Sequence, residues 1–230
     1  MSESLFFLCS VSAVYLARRG RWLPAGLVGA MAAFTRSLGA LVFIPLFMEA
    51  LSLRIRSGDR RAFLRGLAGS LAVFLGTGVY LFMNYRLFGN PLQFLWFEDR
   101  YFGQHFAPFF GVTAQLLDSG LAMLNPEDYS AALGMSLPNV AYCFSALLVM
   151  FFAARRLRPS YTAWFIAYYV LATGASNLIS APRYLVAAMP LYPALAVLCQ
   201  DKRVDRVLAP LCLFFALLYF YMFTRLWSVF

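Results

Sequence analysis

Charged residues are scarce in this chain of 230 residues: they make up 13% of it, and only ten of them are acidic. A soluble domain has roughly 25% charged residues, whereas 62% of this chain is apolar and its mean hydropathy is +0.71. The composition therefore excludes a soluble globular domain. It predicts one integral-membrane domain over residues 1–230, in the form of a polytopic all-α bundle of transmembrane helices.

Histidine and cysteine are also rare. His105 is the single histidine, and the four cysteines, Cys9, Cys143, Cys199 and Cys212, form no CxxC pair. Because each cysteine lies in an apolar run, we predict buried thiols rather than disulfides or metal ligands. The sequence predicts no metal site and no firm cofactor, although a divalent cation bound by acidic side chains stays an open alternative.

Lys202 is the only lysine, so arginine supplies nearly all of the formal net charge of +9. The arginines are scattered between apolar runs, which indicates basic loops rather than a surface for nucleic acid. We therefore expect membrane lipids as partners and no nucleic acid. Preference for arginine over lysine is typical of a GC-rich bacterial source, so we expect a multi-pass protein of a bacterial inner or plasma membrane.

Eight apolar runs divide the chain, and a spanning helix needs about 20 such residues. Several runs are shorter than that, so either flanking residues extend them or they are half-helices that meet at a cavity. The runs cover residues 5–17, 22–34, 38–53, 63–83, 137–154, 161–179, 185–199 and 207–223. They predict about eight membrane segments.

Clusters of basic residues predict the orientation, because short cytoplasmic loops carry an excess of Arg and Lys. With eight segments, every cluster falls on one side of the membrane, which must be the cytoplasmic side. The clusters are at residues 18–21, 54–65, 155–158 and 202–206. The extracytoplasmic side then holds the breaks at residues 35–39 and 177–184 and the long segment 84–136.

The long outer segment contains a stretch, residues 92–110, that is dense in aromatic residues. Glu98, Asp99, Arg100 and His105 interrupt it and would be costly at the membrane midplane. Aromatic residues mixed with charges are typical of a helix at the headgroup level. We therefore predict that this stretch is an interfacial helix on the outer membrane surface.

Two lone arginines, Arg36 and Arg183, interrupt apolar segments on the predicted outer side. A guanidinium at membrane depth costs at least ~2.5 kcal/mol, so such residues are usually functional and paired. We interpret the two as walls of one anion site, because a guanidinium can bond two phosphate oxygens at once. Alternatively, each binds a lipid headgroup or caps a helix. Glu49, near the cytoplasmic end of its run, is expected to form a local ion pair with Arg54.

Several short stretches together resemble the bacterial relatives of the PIG-V-like (GPI mannosyltransferase 2-like) family, within the GT-C class of glycosyltransferases. The matching stretches are Ser2-Glu3-Ser4-Leu5-Phe6, Arg18-Arg19-Gly20-Arg21-Trp22, Phe34-Thr35-Arg36-Ser37-Leu38-Gly39, Tyr85-Arg86-Leu87-Phe88-Gly89-Asn90-Pro91-Leu92, Pro182-Arg183-Tyr184-Leu185 and Met189-Pro190-Leu191. The resemblance implies a GT-C-like fold. It also implies transfer of a sugar, mannose in this family, from a polyprenyl-phosphate donor to an extracytoplasmic acceptor.

The resemblance also implies which residues would act. Arg36 and Arg183 would bind the lipid phosphate, and Tyr184, Arg86, Arg100 and His105 are further candidates for contacting phosphate or sugar. The family's catalytic carboxylate lies in a loop after the first transmembrane helix, upstream of the matching stretches. We therefore expect this chain to correspond to the C-terminal portion of such an enzyme, without its usual base. Among the outer acidic residues, Glu98 and Asp99 are the candidates for a base or for holding a divalent metal, although a solvated helix face is the simpler interpretation.

Two other functions stay open. A lipid-carrier-binding protein or transporter would use the same arginines without chemistry, although a transporter should show inverted repeats, which are not visible in the sequence. A truncated product without activity is the third possibility.

Overall fold

Helices form the described structure, and no strand occurs among the described residues. The computed structural model describes residues 2–103, 114, 117–118, 121–122, 133–134, 137–174 and 181–225. Its main helices are α1 Ser2–Arg18, α2 Trp22–Thr35, α3 Phe43–Ser57, α4 Arg60–Ala72, α5 Phe74–Phe88, α6 Gln93–Phe102, α7 Leu137–Ala153, α8 Pro159–Thr173, α9 Ala181–Val186, α10 Leu191–Leu198 and α11 Lys202–Thr224. Two 3-10 helices, Ser37–Val42 and Ala154–Arg156, join some of them. The prediction of an all-α protein is confirmed.

Four of the described helical segments are long and apolar enough to cross a membrane: Ser37–Ser57, Arg60–Phe88, Leu137–Arg156 and Lys202–Thr224. By contrast, α1 has 17 residues, α2 has 14 and α8 has 15. At 1.5 Å per residue these are about 21–26 Å long, which is shorter than a hydrocarbon core of about 30 Å. The described helices thus support a helical membrane protein, and the count of eight segments stays a prediction.

The apolar run 185–199 does not form one helix. α9 ends at Val186 and α10 begins at Leu191. Pro190 accounts for the break, because proline disfavours helical geometry at the residue before it, here Met189. The result is two short helices rather than one extended segment.

The described chain divides into two compact units, and α2 is the central helix of the first. This unit holds α1 to α6, α8 as far as Leu171, and residues 187–190. Within it, α2 packs against α1, α4, α5 and the 3-10 helix Ser37–Val42. The buried residues of α2 are small apart from Trp22: Ala25, Gly26, Gly29, Ala32 and Ala33. Small residues let helix backbones approach closely, which is how helices associate where lipid is as apolar as leucine.

Gly69 of α4 and Gly76 of α5 mark the closest approach to α2. A Cβ atom added at Gly69 would overlap the carbonyl oxygen of Trp22, and one added at Gly76 would overlap the carbonyl oxygen of Ala30. Neither clash can be relieved by a side-chain rotation, because the obstacle is backbone. These two glycines therefore allow the α4–α5 pair to lie directly against α2.

The aromatic core of the first unit joins α1 to α8. Phe6, Trp164 and Tyr168 are fully buried. The rings of Phe6 and Tyr168 stack with centroids 6.2 Å apart. Such an aromatic pair contributes roughly 0.5–1.5 kcal/mol beyond the burial of its area, so α8 stabilises the unit although it comes late in the chain.

Glu49 ties three helices together at one end of the first unit. Its Oε1 lies 3.4 Å from Nη2 of Arg18 in α1, and its Oε2 lies 3.2 Å from Nη1 of Arg158 before α8. The Ser160 hydroxyl donates to Oε1 at 3.0 Å. The expected ion pair with Arg54 is wrong: the Arg54 guanidinium donates to the carbonyl oxygen of Gly58. Five residues along a helix correspond to about 140° of rotation, so the two side chains point in different directions.

The second unit contains α7, α9, α10 and α11. α7 packs against α9 and α10. The buried Asn139 side chain accepts a hydrogen bond from the Ala181 N–H at 3.0 Å, which fixes the first turn of α9 against α7. The carboxylate of Asp201 accepts a bond from the Arg203 N–H at 2.8 Å and caps α11.

The four cysteines are free thiols, but not all of them are buried. Cys9 and Cys143 are buried as predicted, Cys199 is half-buried and Cys212 is exposed. Cys212 lies on α11, where almost every apolar side chain faces outwards. The prediction of a buried thiol is therefore wrong for Cys212, because α11 packs against little of the described protein and only 6% of its most apolar stretch is buried.

Candidate functional site

Arg36 lies where α2 ends and the next 3-10 helix begins. Its backbone is extended, with φ −151° and ψ 146°, so Arg36 interrupts the helical backbone. The Gly39 N–H bonds to the Arg36 carbonyl oxygen at 2.9 Å, which closes the turn. Arg36 is thus carried by a short break between two apolar helices, as the sequence predicts.

The Arg36 side chain pairs with Glu3, a residue that sequence reasoning did not select as its partner. Nη1 of Arg36 lies 3.3 Å from Oε1 of Glu3, and the two side chains are only 11% and 22% exposed. Glu3 and Arg18 lie at opposite ends of α1, 15 residues or about 22 Å apart. The Glu3–Arg36 pair and the Glu49 cluster therefore lie at opposite ends of α1. The clue available in the sequence was that Glu3 is the only acidic residue before Glu49.

Arg183 and Tyr184 lie in α9, which belongs to the second unit. Arg183 is exposed, and Tyr184 is half-buried. Because Arg36 is in the first unit, the joint anion site of Arg36 and Arg183 stays a prediction.

An apolar cavity of about 210 Å³ lies in the second unit, one helical turn from Arg183. Val186, three residues after Arg183, is part of its wall, and residues three apart lie on neighbouring positions of a helix surface. The other wall residues come from α7, α10 and α11: Tyr142, Ser145, Ala146, Val149, Leu191, Tyr192, Leu195, Leu208 and Cys212. α9 therefore carries a cation and a wall of an apolar cavity within one turn.

α6 carries the candidate carboxylates Glu98 and Asp99, together with Arg100. It packs on α5 through aromatic pairs: Phe94 lies 5.4 Å from Tyr80, and Phe97 lies 5.4 Å from Phe88, measured between ring centroids. With ten residues it is about 15 Å long, which is too short to span a bilayer. The prediction of a helix is confirmed for residues 93–102, and its position on the outer membrane surface stays a prediction.

The charged residues of α6 lie on its open side. Glu98, Asp99 and Arg100 are all exposed. Even so, neighbouring protein partly desolvates the carboxyl group of Glu98 and raises its pKa. A raised pKa brings a carboxylate closer to the range in which a general base works at neutral pH, which distinguishes Glu98 as a candidate.

The remaining candidates are spread more widely. Arg86 is exposed near the end of α5, and His105 lies outside the described residues. Within the described part of the chain, no three His, Cys, Asp or Glu side chains gather in a group that could hold a metal ion.

In comparisons with protein-family models, curated proteins and solved structures, none matches this chain.

Proposed function

We propose that this chain binds a polyprenyl-phosphate-linked sugar at the extracytoplasmic side of a bacterial cell membrane and acts as a glycosyltransferase of the GT-C type. The observation that carries the proposal is the arrangement on α9. There, Arg183 lies one helical turn before Val186, which lines an apolar cavity of about 210 Å³. A phosphate joined to an isoprenoid chain needs such a combination of a cation and an apolar surface.

Arg36 would supply the second cation. In transfer from a lipid phosphate, cations stabilise the negative charge that develops on the departing phosphate. Glu3 holds the Arg36 guanidinium in place at 3.3 Å, in a position only 11% exposed. A guanidinium that is already oriented loses less freedom when a phosphate binds.

Glu98 would be the general base that takes the proton of the acceptor hydroxyl, with Asp99 as the alternative. Glu98 lies on the predicted outer side, and the direction of its pKa shift suits the role. Tyr184, Arg86, Arg100 and His105 would contact the sugar or phosphate. The proposal includes the predicted arrangement of about eight membrane segments, mannose as the sugar and an extracytoplasmic acceptor.

Binding of a short-chain polyprenyl phosphate to the purified chain in detergent or nanodiscs tests the phosphate site. Arg183→Lys keeps the positive charge but loses the paired hydrogen bonds. We expect about tenfold weaker binding, the equivalent of one charge-assisted hydrogen bond. Arg225→Lys is the control, because Arg225 lies on the same predicted side of the membrane as Arg183 and its guanidinium contacts the Tyr221 side chain. Equal affinities of all three proteins would refute the phosphate role of Arg183.

Transfer of labelled mannose from a polyprenyl-phosphate donor tests the chemistry. If Glu98 is the base, Glu98→Gln should slow transfer by ~10²–10⁴-fold without changing donor affinity. The second candidate is a lipid-carrier-binding protein without catalysis. Donor binding that depends on Arg183, together with no sugar transfer by the original protein or by Glu98→Gln, would support it instead. The same α9 arrangement favours that candidate, because it binds the donor without requiring a base.

A further inference from the structure

A second cavity, of about 200 Å³, lies at the arginine-rich end of the first unit. Its wall is formed by the end of α1, the start of α2, the last turns of α3 and the start of α8. Its charged wall residues are Arg18, Glu49, Arg56 and Arg158. The proposed sugar-donor site uses none of them.

The charges around this cavity do not balance. Three guanidinium groups, those of Arg18, Arg56 and Arg158, face one carboxylate, that of Glu49, so the wall carries a formal charge of +2. Glu49 already pairs with Arg18 and Arg158. Arg56 forms no ion pair with any described residue. A cavity with this excess of positive charge favours an anion.

Contacts orient two of the three cations. The Arg18 guanidinium lies 4.7 Å from the centre of the Tyr161 ring, in addition to its contacts with Glu49. Arg158 is held by Oε2 of Glu49 at 3.2 Å. Glu49 thus orients two of the three guanidinium groups, which lowers the entropic cost of binding.

The cavity also has apolar walls, formed by Ala17, Trp22, Leu53 and Pro159. Arg18, Arg56 and Arg158 come from three of the basic clusters that the sequence predicts on the cytoplasmic side. The lipid headgroups of the cytoplasmic leaflet would lie at this level, and that leaflet is rich in anionic lipids. Basic pockets between membrane helices on this side are typical binding sites for anionic headgroups.

We propose that this cavity binds the phosphate of an anionic phospholipid from the cytoplasmic leaflet. Arg56 provides the guanidinium that has no ion-pair partner within the described structure, and Arg18 and Arg158 share their charge between Glu49 and the phosphate. The apolar wall residues contact the glycerol region and the first methylene groups of the acyl chains. The site is separate from the donor site, so it holds whether or not the chain transfers sugar.

Binding of phosphatidylglycerol to the purified full chain in neutral detergent, measured by native mass spectrometry, tests the proposal. Phosphatidylcholine serves as the reference lipid. Arg56→Gln should weaken phosphatidylglycerol binding about fivefold, the usual effect of one basic residue near an anionic lipid. Arg206→Gln is the matched control, since it removes one charge on the same predicted side and Arg206 does not line the cavity. It should change the affinity less than about twofold.

Arg56→Lys tests whether the weaker binding of Arg56→Gln comes from the lost charge or from misfolding. It keeps the positive charge but loses the paired hydrogen bonds, so it should bind phosphatidylglycerol less tightly than the original protein and more tightly than Arg56→Gln. Equal weakening by Arg56→Gln and Arg206→Gln, or equal affinity for the two lipids, would overturn the proposal. Inorganic phosphate that displaces the lipid mole for mole would also overturn it, because the site would then take a free anion rather than a headgroup.

Discussion

Replacing Glu49 with glutamine should destabilise the first unit more than any other single change of charge among its described residues. Glutamine has nearly the same shape and can still accept the hydrogen bond from Ser160. What disappears is the negative charge between Arg18 and Arg158, which lie 3.4 and 3.2 Å from the carboxylate oxygens. Two guanidinium groups would then face each other with no carboxylate between them.

The exposures of the three side chains set the size of the effect. At an effective dielectric constant of about 20, a pair at this distance has a Coulomb energy of about 5 kcal/mol before the cost of desolvation. Arg158 is 57% exposed, so its pairing contributes under ~1 kcal/mol. Glu49 is 13% and Arg18 is 30% exposed, which lies between a surface pair and a buried pair. Removing one partner of a buried pair costs ~3–5 kcal/mol, so we expect a loss of about 2 kcal/mol here.

A double-mutant cycle measures the interaction itself. Unfolding free energies in SDS titrations of Glu49→Gln, Arg18→Gln and the double variant should give a coupling of about 1–2 kcal/mol. The same cycle with Arg56→Gln is the control, because Arg56 lines the same cavity but forms no ion pair within the described residues. Its coupling with Glu49 should stay below about 0.5 kcal/mol. Equal couplings in the two cycles would refute the specific role of the Glu49–Arg18 contact.

Three further predictions follow from the helix contacts. Gly76→Ala should lower the free energy of unfolding by ~1–3 kcal/mol, because the backbone of α2 must move to make room for the new methyl group. Gly78→Ala is the control: a Cβ there meets no atom within 4 Å, so the variant should gain up to ~1 kcal/mol from helix propensity. Equal effects of the two substitutions would contradict the close packing. Because burial raises the pKa of Glu98, the packing of α6 should lose stability as the pH rises from the ordinary glutamate range through the raised pKa. Amide hydrogen exchange of α6 measures this pH dependence, and Glu98→Gln should remove it. Tyr101→Cys should react with an impermeant maleimide from outside the cell and Ser57→Cys should not; the reverse pattern would invert the topology.

The sequence predicted the all-α class and some of the helix ends because composition and breaks are local properties. The break at Arg36 and the helical part of residues 92–110 both appear as expected. Gly89 has φ 73°, a conformation that glycine adopts without strain, so a turn signal of this kind is readable from one residue.

The partners of charged residues were not predictable in the same way. The Arg54 pairing failed because the true partners of Glu49, Arg18 and Arg158, are 31 and 109 residues away in sequence. Such pairs depend on which helices pack together, and the apolar pattern of a membrane helix does not identify its neighbours. The Glu3–Arg36 contact is similar, since it depends on α1 and α2 lying side by side.

The late position of α8 in the chain affects how the first unit forms during synthesis. Glu49 and Arg158 are 109 residues apart, which at ~5–20 residues per second takes the ribosome about 5–20 s. During this interval α1 to α5 can assemble around α2, but the space later filled by Trp164 and Tyr168 lacks its protein side chains. In a bilayer, acyl chains can occupy such an apolar space without the cost of exposure to water. Completion of the unit is then an exchange of lipid for α8, so its rate should vary with the lipid composition of the membrane as well as with the sequence.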